Sequence, residues 1–199
     1  MALAFRKFRE GPGQEAADLY RDIETPSETP VEAAVGRGLR HDDLGHHEMA
    51  IEEFRAAEEL DPENVETLAH LAGAYGAAGQ FGEADVVIDR ALRLDPSNDE
   101  ARVGEAILLF RKGLYAQAEA QLSRICERNT SHGPAHFYRG EALNRLGNVE
   151  EALRAMERAV QIEPGNWRAY HTLGILYDRK DDRERASEMY RRARELNRL

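Results

Sequence analysis

Side chains able to hold a metal crowd one short stretch of this chain, His41, Asp42, Asp43, His46 and His47. Imidazole and carboxylate both ligate transition metals. The stretch has no HExxH-like spacing, however, so nothing sets two imidazoles one turn apart on a helix, and it reads as a solvated turn rather than a metal site. Cys126 is the single cysteine. It excludes an internal disulfide framework, fits a reducing compartment, and falls where a buried, inert thiol is expected rather than a nucleophile. The pairs Gly11/Gly13 and Gly36/Gly38 lack the strand–turn–helix context of a nucleotide site. His70, His136 and His171 have no nucleophile or matched acid near them in sequence. No catalytic residue, cofactor or metal is therefore expected, and the chain is read as non-enzymatic. One chemically pointed feature remains: Arg111, Arg145 and Arg179 recur at an interval of 34 residues. Guanidinium forks bind carboxylates in two-pronged geometry. The plainer reading is solvated helix surface, with Glu141 one turn from Arg145 as its partner.

Charge narrows the class. The formal net charge is −10, which opposes nucleic-acid binding, a function that ordinarily needs a basic field. Residues 31–98 carry 15 acidic and 5 basic side chains, and residues 99–199 carry 16 and 18. That polarity orients a partner electrostatically. No apolar run approaches the ~20 residues needed to span a bilayer, and the N-terminus lacks the apolar core of a secretory signal. The default location is the cytoplasm.

The elements that must position these groups follow a fixed period. Val65–Asn98 reads as two helices. Leu68, Leu71, Ala72 and Tyr75 mark one apolar face, Gly79 breaks the pattern, and Ala84, Val87, Ile88, Ala91, Leu92 and Leu94 mark a second. Pro96 ends the second helix, and Asn98 is a favoured N-cap for the next. Glycine recurs at 45, 79, 113 and 147, alanine at 50, 84, 118, 152 and 186, and the Pro-x-Asn junction at 62, 96 and 164. In this register the chain resembles the tetratricopeptide repeat family, whose period is ~34 residues. The match covers five units, 31–64, 65–98, 99–132, 133–166 and 167–199. The resemblance implies an all-α fold, a right-handed superhelical solenoid of antiparallel helix pairs. Alanine recurs because it lets two helix backbones cross closely.

The resemblance also implies a concave groove lined by the first helix of each unit. Equivalent positions form columns: Val35, Ala69, Val103, Phe137, His171; Leu39, Gly73, Ile107, Glu141, Ile175; Asp42, Gly76, Phe110, Asn144, Asp178; and Asp43, Ala77, Arg111, Arg145, Arg179. The second unit is nearly bare, which leaves room for an inserted side chain. The expected partner-binding residues are Val103, Ile107, Phe110, Arg111, Phe137, Arg145, His171, Ile175 and Arg179, and the expected partner is a protein or peptide segment that is apolar and acidic. The Lys/Asn set of chaperone-binding tetratricopeptide clamps is absent, with Leu39, His70, Glu100, Gly104, Tyr138 and Thr172 at groove positions.

Residues 1–30 stand outside these five units. MALAFRKFRE mixes Leu3, Phe5 and Phe8 with Arg6, Lys7 and Arg9. It reads either as a frayed terminus or as a short basic amphipathic contact for a membrane surface or partner. Gln14–Ile23 is expected to be a short helix covering the first unit. The function that follows is a protein–protein interaction scaffold or adaptor holding a partner peptide or helix in its groove. The alternative is a self-assembling structural scaffold, a homo-oligomer in which the N-terminal segment or a terminal repeat docks on another copy.

Overall fold

The computed structural model describes residues 29–198; the expectations for residues 1–10 and for Gln14–Ile23 lie outside them. Ten helices follow one another: α1 Pro30–Asp43, α2 His47–Leu60, α3 Val65–Ala77, α4 Phe81–Leu94, α5 Asp99–Arg111, α6 Tyr115–Arg128, α7 Gly133–Leu146, α8 Val149–Ile162, α9 Trp167–Arg179 and α10 Arg183–Leu196. No strand is present among the described residues. The chain is an all-α repeat solenoid.

Local chemistry sets each boundary. Asn64, Asn98, His132 and Asn166 stand one position before α3, α5, α7 and α9, and each side chain accepts the backbone N–H three residues on, at 2.9, 3.0, 3.3 and 3.1 Å. Such a cap satisfies one of the N–H groups that a helix start leaves without a partner. The turns inside the units reverse through a left-handed residue at one repeated position, Gly45, Gly79, Gly113 and Gly147 with φ from 74° to 84°. Glycine adopts this conformation without the steric cost of a Cβ. The last turn uses Asp181 instead, at φ 57°.

Within a unit the two helices cross on small residues. Ala50, Ala84, Ala118, Ala152 and Ala186 are all buried. On the facing helix the matching position is Gly38, Ala72, Ala106, Gly140 or Gly174, and over it lies the bulky residue of the second helix. A Cβ on Gly140 would come 2.9 Å from the Met156 side chain, and one on Gly174 would come 2.5 Å from the Tyr190 ring. Between units, each second helix packs on the next first helix, and the first helices also touch in succession. No two second helices approach each other in this way. The array therefore curves, with α1, α3, α5, α7 and α9 on the inner face. Ion pairs add to these contacts: Lys112 Nζ donates to Asp85 at 2.6 Å, and Arg139 Nε donates to Glu119 at 3.0 Å. Glu119 is thus a half-buried bridge between units.

The crossing contact yields a direct test. Ala118→Leu should lower stability by ~1–3 kcal/mol through overpacking, while Ala120→Leu, on the exposed side of the same helix, should change it by less than ~0.5 kcal/mol. Thermal melts of the two variants make the comparison; equal losses would mean that α6 is turned differently.

Candidate functional site

The inner face holds a recess of about 170 Å³ over units one to four, floored by Ala69, Gly73 and Gly104 and walled by Ile107, Arg111 and Tyr138. Small residues on α3 leave the space, and longer ones on α5 and α7 close it. His70 and Glu100 lie on its rim. The bareness expected of the second unit is real at Gly73, where a Cβ would meet nothing within 4 Å. At Gly76 it is not, because the Leu108 side chain of the next unit fills the place that a Cβ would take.

The expected binding residues divide by column. Ile107 is half-buried and Arg111 exposed, and both face the recess. Ile175 is half-buried further along. Arg145 is exposed, with its guanidinium 5.9 Å from the Tyr115 ring centre. Arg179 is exposed and donates to the Asn144 side-chain oxygen at 2.7 Å. The Glu141 carboxylate accepts from the Thr172 hydroxyl of the next unit at 2.6 Å, a bond between helices where a pair with Arg145 was expected. The other two columns are split: Ala69, Val103 and Asp42 also line the recess, whereas the phenylalanines pack against neighbouring rings. Val103 is 2% exposed. Phe110 is half-buried, its ring 5.3 Å from Tyr115 and 5.9 Å from Tyr138, and Phe137 lies 5.1 Å from Tyr138. These aromatic rings join units three and four. His171, at the same repeated position as Val103 and Phe137, is exposed on the fifth unit. It lines a second recess of about 640 Å³ with Trp167, Tyr190, Arg183 and Arg194. Glu100 and Tyr138, among the residues lining the first recess, were not expected to bind. They lie one position before Ala101 and one after Phe137, and only the direction of the helix face distinguishes them.

The polar chemistry of the groove is structural. His47 Nδ1 sits 2.9 Å from an Asp42 oxygen, and among the described residues no group of three or more His, Cys, Asp or Glu is placed to hold a metal. Burial pushes the Cys126 thiol up to about 11, so it stays protonated at neutral pH. His132 is more demanding. Its Nδ1 accepts the Ala135 N–H, which requires that nitrogen to be unprotonated, while Nε2 lies 3.1 Å from Glu100, too poorly aligned for a full hydrogen bond. Contact with Glu100 raises the His132 imidazole above its ordinary value against the opposing effect of burial, and it holds the Glu100 carboxyl down. The cap favours the neutral ring and the carboxylate the charged one.

With this geometry in hand, the comparisons with known proteins are direct. Tetratricopeptide repeat family models match residues 31–64, 71–134, 103–166 and 143–198. The chain belongs to the tetratricopeptide repeat family, whose stacked units present extended concave surfaces for binding. Among individual relatives, human RNA polymerase II-associated protein 3 is 26% identical over 181 residues, covering 85% of this chain and 27% of that protein. The chain thus spans about a quarter of that relative's length. Among solved structures, MamA superposes with a TM-score of 0.58 at 27% identity, covering 81% of this chain and 94% of MamA. YrrB, a TPR protein with an unusual peptide-binding site, superposes at 0.54 with 24% identity, covering 89% and 91%. No described helix is long and apolar enough to cross a membrane.

The two demands on His132 can be separated. A raised imidazole pKa contributes stability that is present in full below ~6.5 and is lost as pH rises through the raised value. His136, held down by burial, acts in the opposite sense, its contribution being lost as pH falls. Comparing wild type with Glu100→Gln cancels the His136 effect. The melting-temperature gap between the two should be larger at pH ~6 than at pH ~8.5; a gap constant with pH would show that the cap keeps His132 neutral. Separately, His132→Ala should cost ~1 kcal/mol, and His132→Asn, the cap used at the other three junctions, should recover most of it.

Proposed function

We propose that the chain is a protein–protein interaction scaffold, without chemistry of its own, that receives a partner peptide or helix along its inner face. The observation that supports this most directly is the coincidence of two features on one face. A recess with a floor of Ala69, Gly73 and Gly104 lies beside Ile107, and the exposed Arg111, Arg145 and Arg179 follow one another along the next column. An apolar anchor entering the recess supplies most of the binding energy, as buried anchors do at interfaces. Acidic side chains on the same segment meet the arginines, setting orientation and association rate. Val103, Phe110 and Phe137 contribute through the packing that shapes the groove, Ile175 extends the apolar track, and His171 offers an exposed imidazole on the last unit. YrrB, described by its peptide-binding site, supports the same use of this fold. The free thiol of Cys126 is consistent with work in a reducing compartment, the cytoplasm.

A second reading, self-assembly of copies, rests on one observation, the open recess of about 640 Å³ on the last unit with Trp167 at its edge. Light scattering across a concentration series separates the two, because an adaptor keeps a constant mass.

For the groove, peptides selected from a random library on the immobilised chain provide a partner of known sequence. Ile107→Asp should reduce their affinity at least ~10-fold, with the melting temperature kept within a few degrees. Arg145→Glu with Arg179→Glu should weaken binding mainly at low salt. Phe110→Asp differs: its ring is sandwiched between units, so it should cost ~2–4 kcal/mol of stability. Selected peptides indifferent to Ile107 and to the arginines would assign binding to another face.

A further inference from the structure

The two edges of the inner face carry opposite charge, and they do so in different units. At the start of the first helices one repeated position reads Glu32, Glu66, Glu100, Pro134, Arg168. At their far end another reads Asp43, Ala77, Arg111, Arg145, Arg179. Carboxylates thus hold the first edge in units one to three, and guanidiniums hold the second in units three to five. Helix dipoles favour an acid in a first turn and a base in a last turn, but they do not decide what each side chain meets. Glu32 is engaged locally, accepting the Thr29 N–H at 2.7 Å. Glu66 and Glu100 are not, because Asn64 and Asn98 cap α3 and α5 in their place.

Their surroundings set these two glutamates apart. Glu58, Asp85, Asp99, Glu119 and Glu150 each pair with an Arg or Lys of another helix. Glu66 and Glu100 are exposed, and among the described residues neither pairs with Lys or Arg. Each has an imidazole instead, His70 Nε2 at 3.9 Å from Glu66 and His132 Nε2 at 3.1 Å from Glu100. His132 is 7% exposed and its Nε2 lacks a full hydrogen bond, so a buried, unsatisfied nitrogen is aimed at the carboxylate on the recess rim. Contact with His132 holds the Glu100 carboxyl below its usual range, which keeps it ionised at neutral pH. His70 is stacked on Phe54 at 5.6 Å between ring centres and lines the recess with Glu100, Ala69 and Gly73. Glu66 borders an adjoining recess of about 260 Å³ with Val35, and Leu39 is common to both.

We infer that this acidic edge receives a lysine or arginine side chain of the partner segment, its charged end at Glu66 and Glu100 and its methylene stem over the apolar floor at Ala69. The inference rests on the groove reading and adds an order of charge to the partner: basic on one side of the apolar anchor, acidic on the other. Long cationic side chains lay their stems on apolar surface while the charge stays at a polar rim. Arg111 closes the far end of the same recess, beside Asp42. Glu100 and Arg111 are eleven residues apart on α5, ~16 Å along the helix axis, which an extended segment spans in about five residues. A uniformly acidic segment meets repulsion from Glu66 and Glu100, and a uniformly basic one meets it from the arginines. The edges therefore select one direction of binding by penalising the other.

Peptides selected from a random library on the immobilised full chain test this by sequence and by affinity. Those weakened by Ile107→Asp engage the recess, and they should carry Lys or Arg about five residues from an Asp or Glu, with an apolar residue between. Glu66→Gln with Glu100→Gln should weaken them at least ~5-fold at low salt and less at high salt. Glu59→Gln with Glu83→Gln removes the same charge from exposed positions on second helices and should change affinity by less than ~2-fold. Glu66→Gln alone leaves the His132 contact intact, so its share of the loss is free of any change in the cap. Replacing the basic residue of a peptide by Gln should weaken binding to wild type but add little in the Glu66/Glu100 variant, as coupled partners require. Ile107-dependent peptides without that basic residue, or equal effects of the two glutamine pairs, would overturn the inference and leave the groove reading standing. Peptides indifferent to Ile107 would overturn both.

Discussion

Everything in this solenoid depends on how closely the two helices of a unit cross. Five alanines on the second helices, and glycine or alanine opposite them, bring the backbones near enough for one large side chain per unit to cover the contact. A methyl group is the largest substituent that this geometry accepts, since interiors packed to crystal-like density do not yield to added volume. The crossing fixes the angle between the helices of a unit. That angle fixes how the next unit stacks, and the stacking decides which residues of each first helix reach the groove.

The contacts between units are of a different kind. Apolar packing continues across them, but so do carboxylates paired with lysine or arginine, such as Asp85 with Lys112 and Glu119 with Arg139. Where a carboxylate is open to solvent, as Asp85 is, such pairs contribute little stability, ~0–1 kcal/mol each. Their value is directional: they fix one register between neighbours and penalise others. His132 belongs to the same boundary, between units three and four, and couples a helix cap to the Glu100 carboxylate on the groove rim.

The period of the fold was legible in the sequence because it is written in residues with no substitute: a glycine at a left-handed turn, an alanine at a crossing, an asparagine at a cap. Where the chemistry allows a substitute the signal weakens, as with His132 capping α7 and Asp181 turning into α10. The groove was legible only in part. Stepping 34 residues shows which positions are equivalent but not which way they face, and adjacent positions on a helix differ by about 100° in direction. Ile107 and Arg111 line the recess, while Arg145 lies by the Tyr115 ring and Arg179 bonds Asn144. Val103 is nearly buried in the lining of the recess, and Phe110 and Phe137 pack against Tyr115 and Tyr138, whose rings fill the gap between units three and four. Glu100 and Tyr138 were placed at groove positions but not among the expected binding residues for the same reason. Directions on a helix emerge only once the stacking is known.

The described second helices, whose backbones do not approach one another and which meet through side chains such as Arg90 and Glu58, give the molecule a mechanical character. Its inner rim is a continuous row of contacting helices, while its outer rim is joined only through long side chains. Bending is therefore soft in one sense, the opening and closing of the outer gaps, and stiff in shear. Each unit acts as a leaf of a spring hinged at the inner rim. A segment bound across several units would strain or relax that spring according to its span, so that two segments with the same anchors but different spans would not be equivalent.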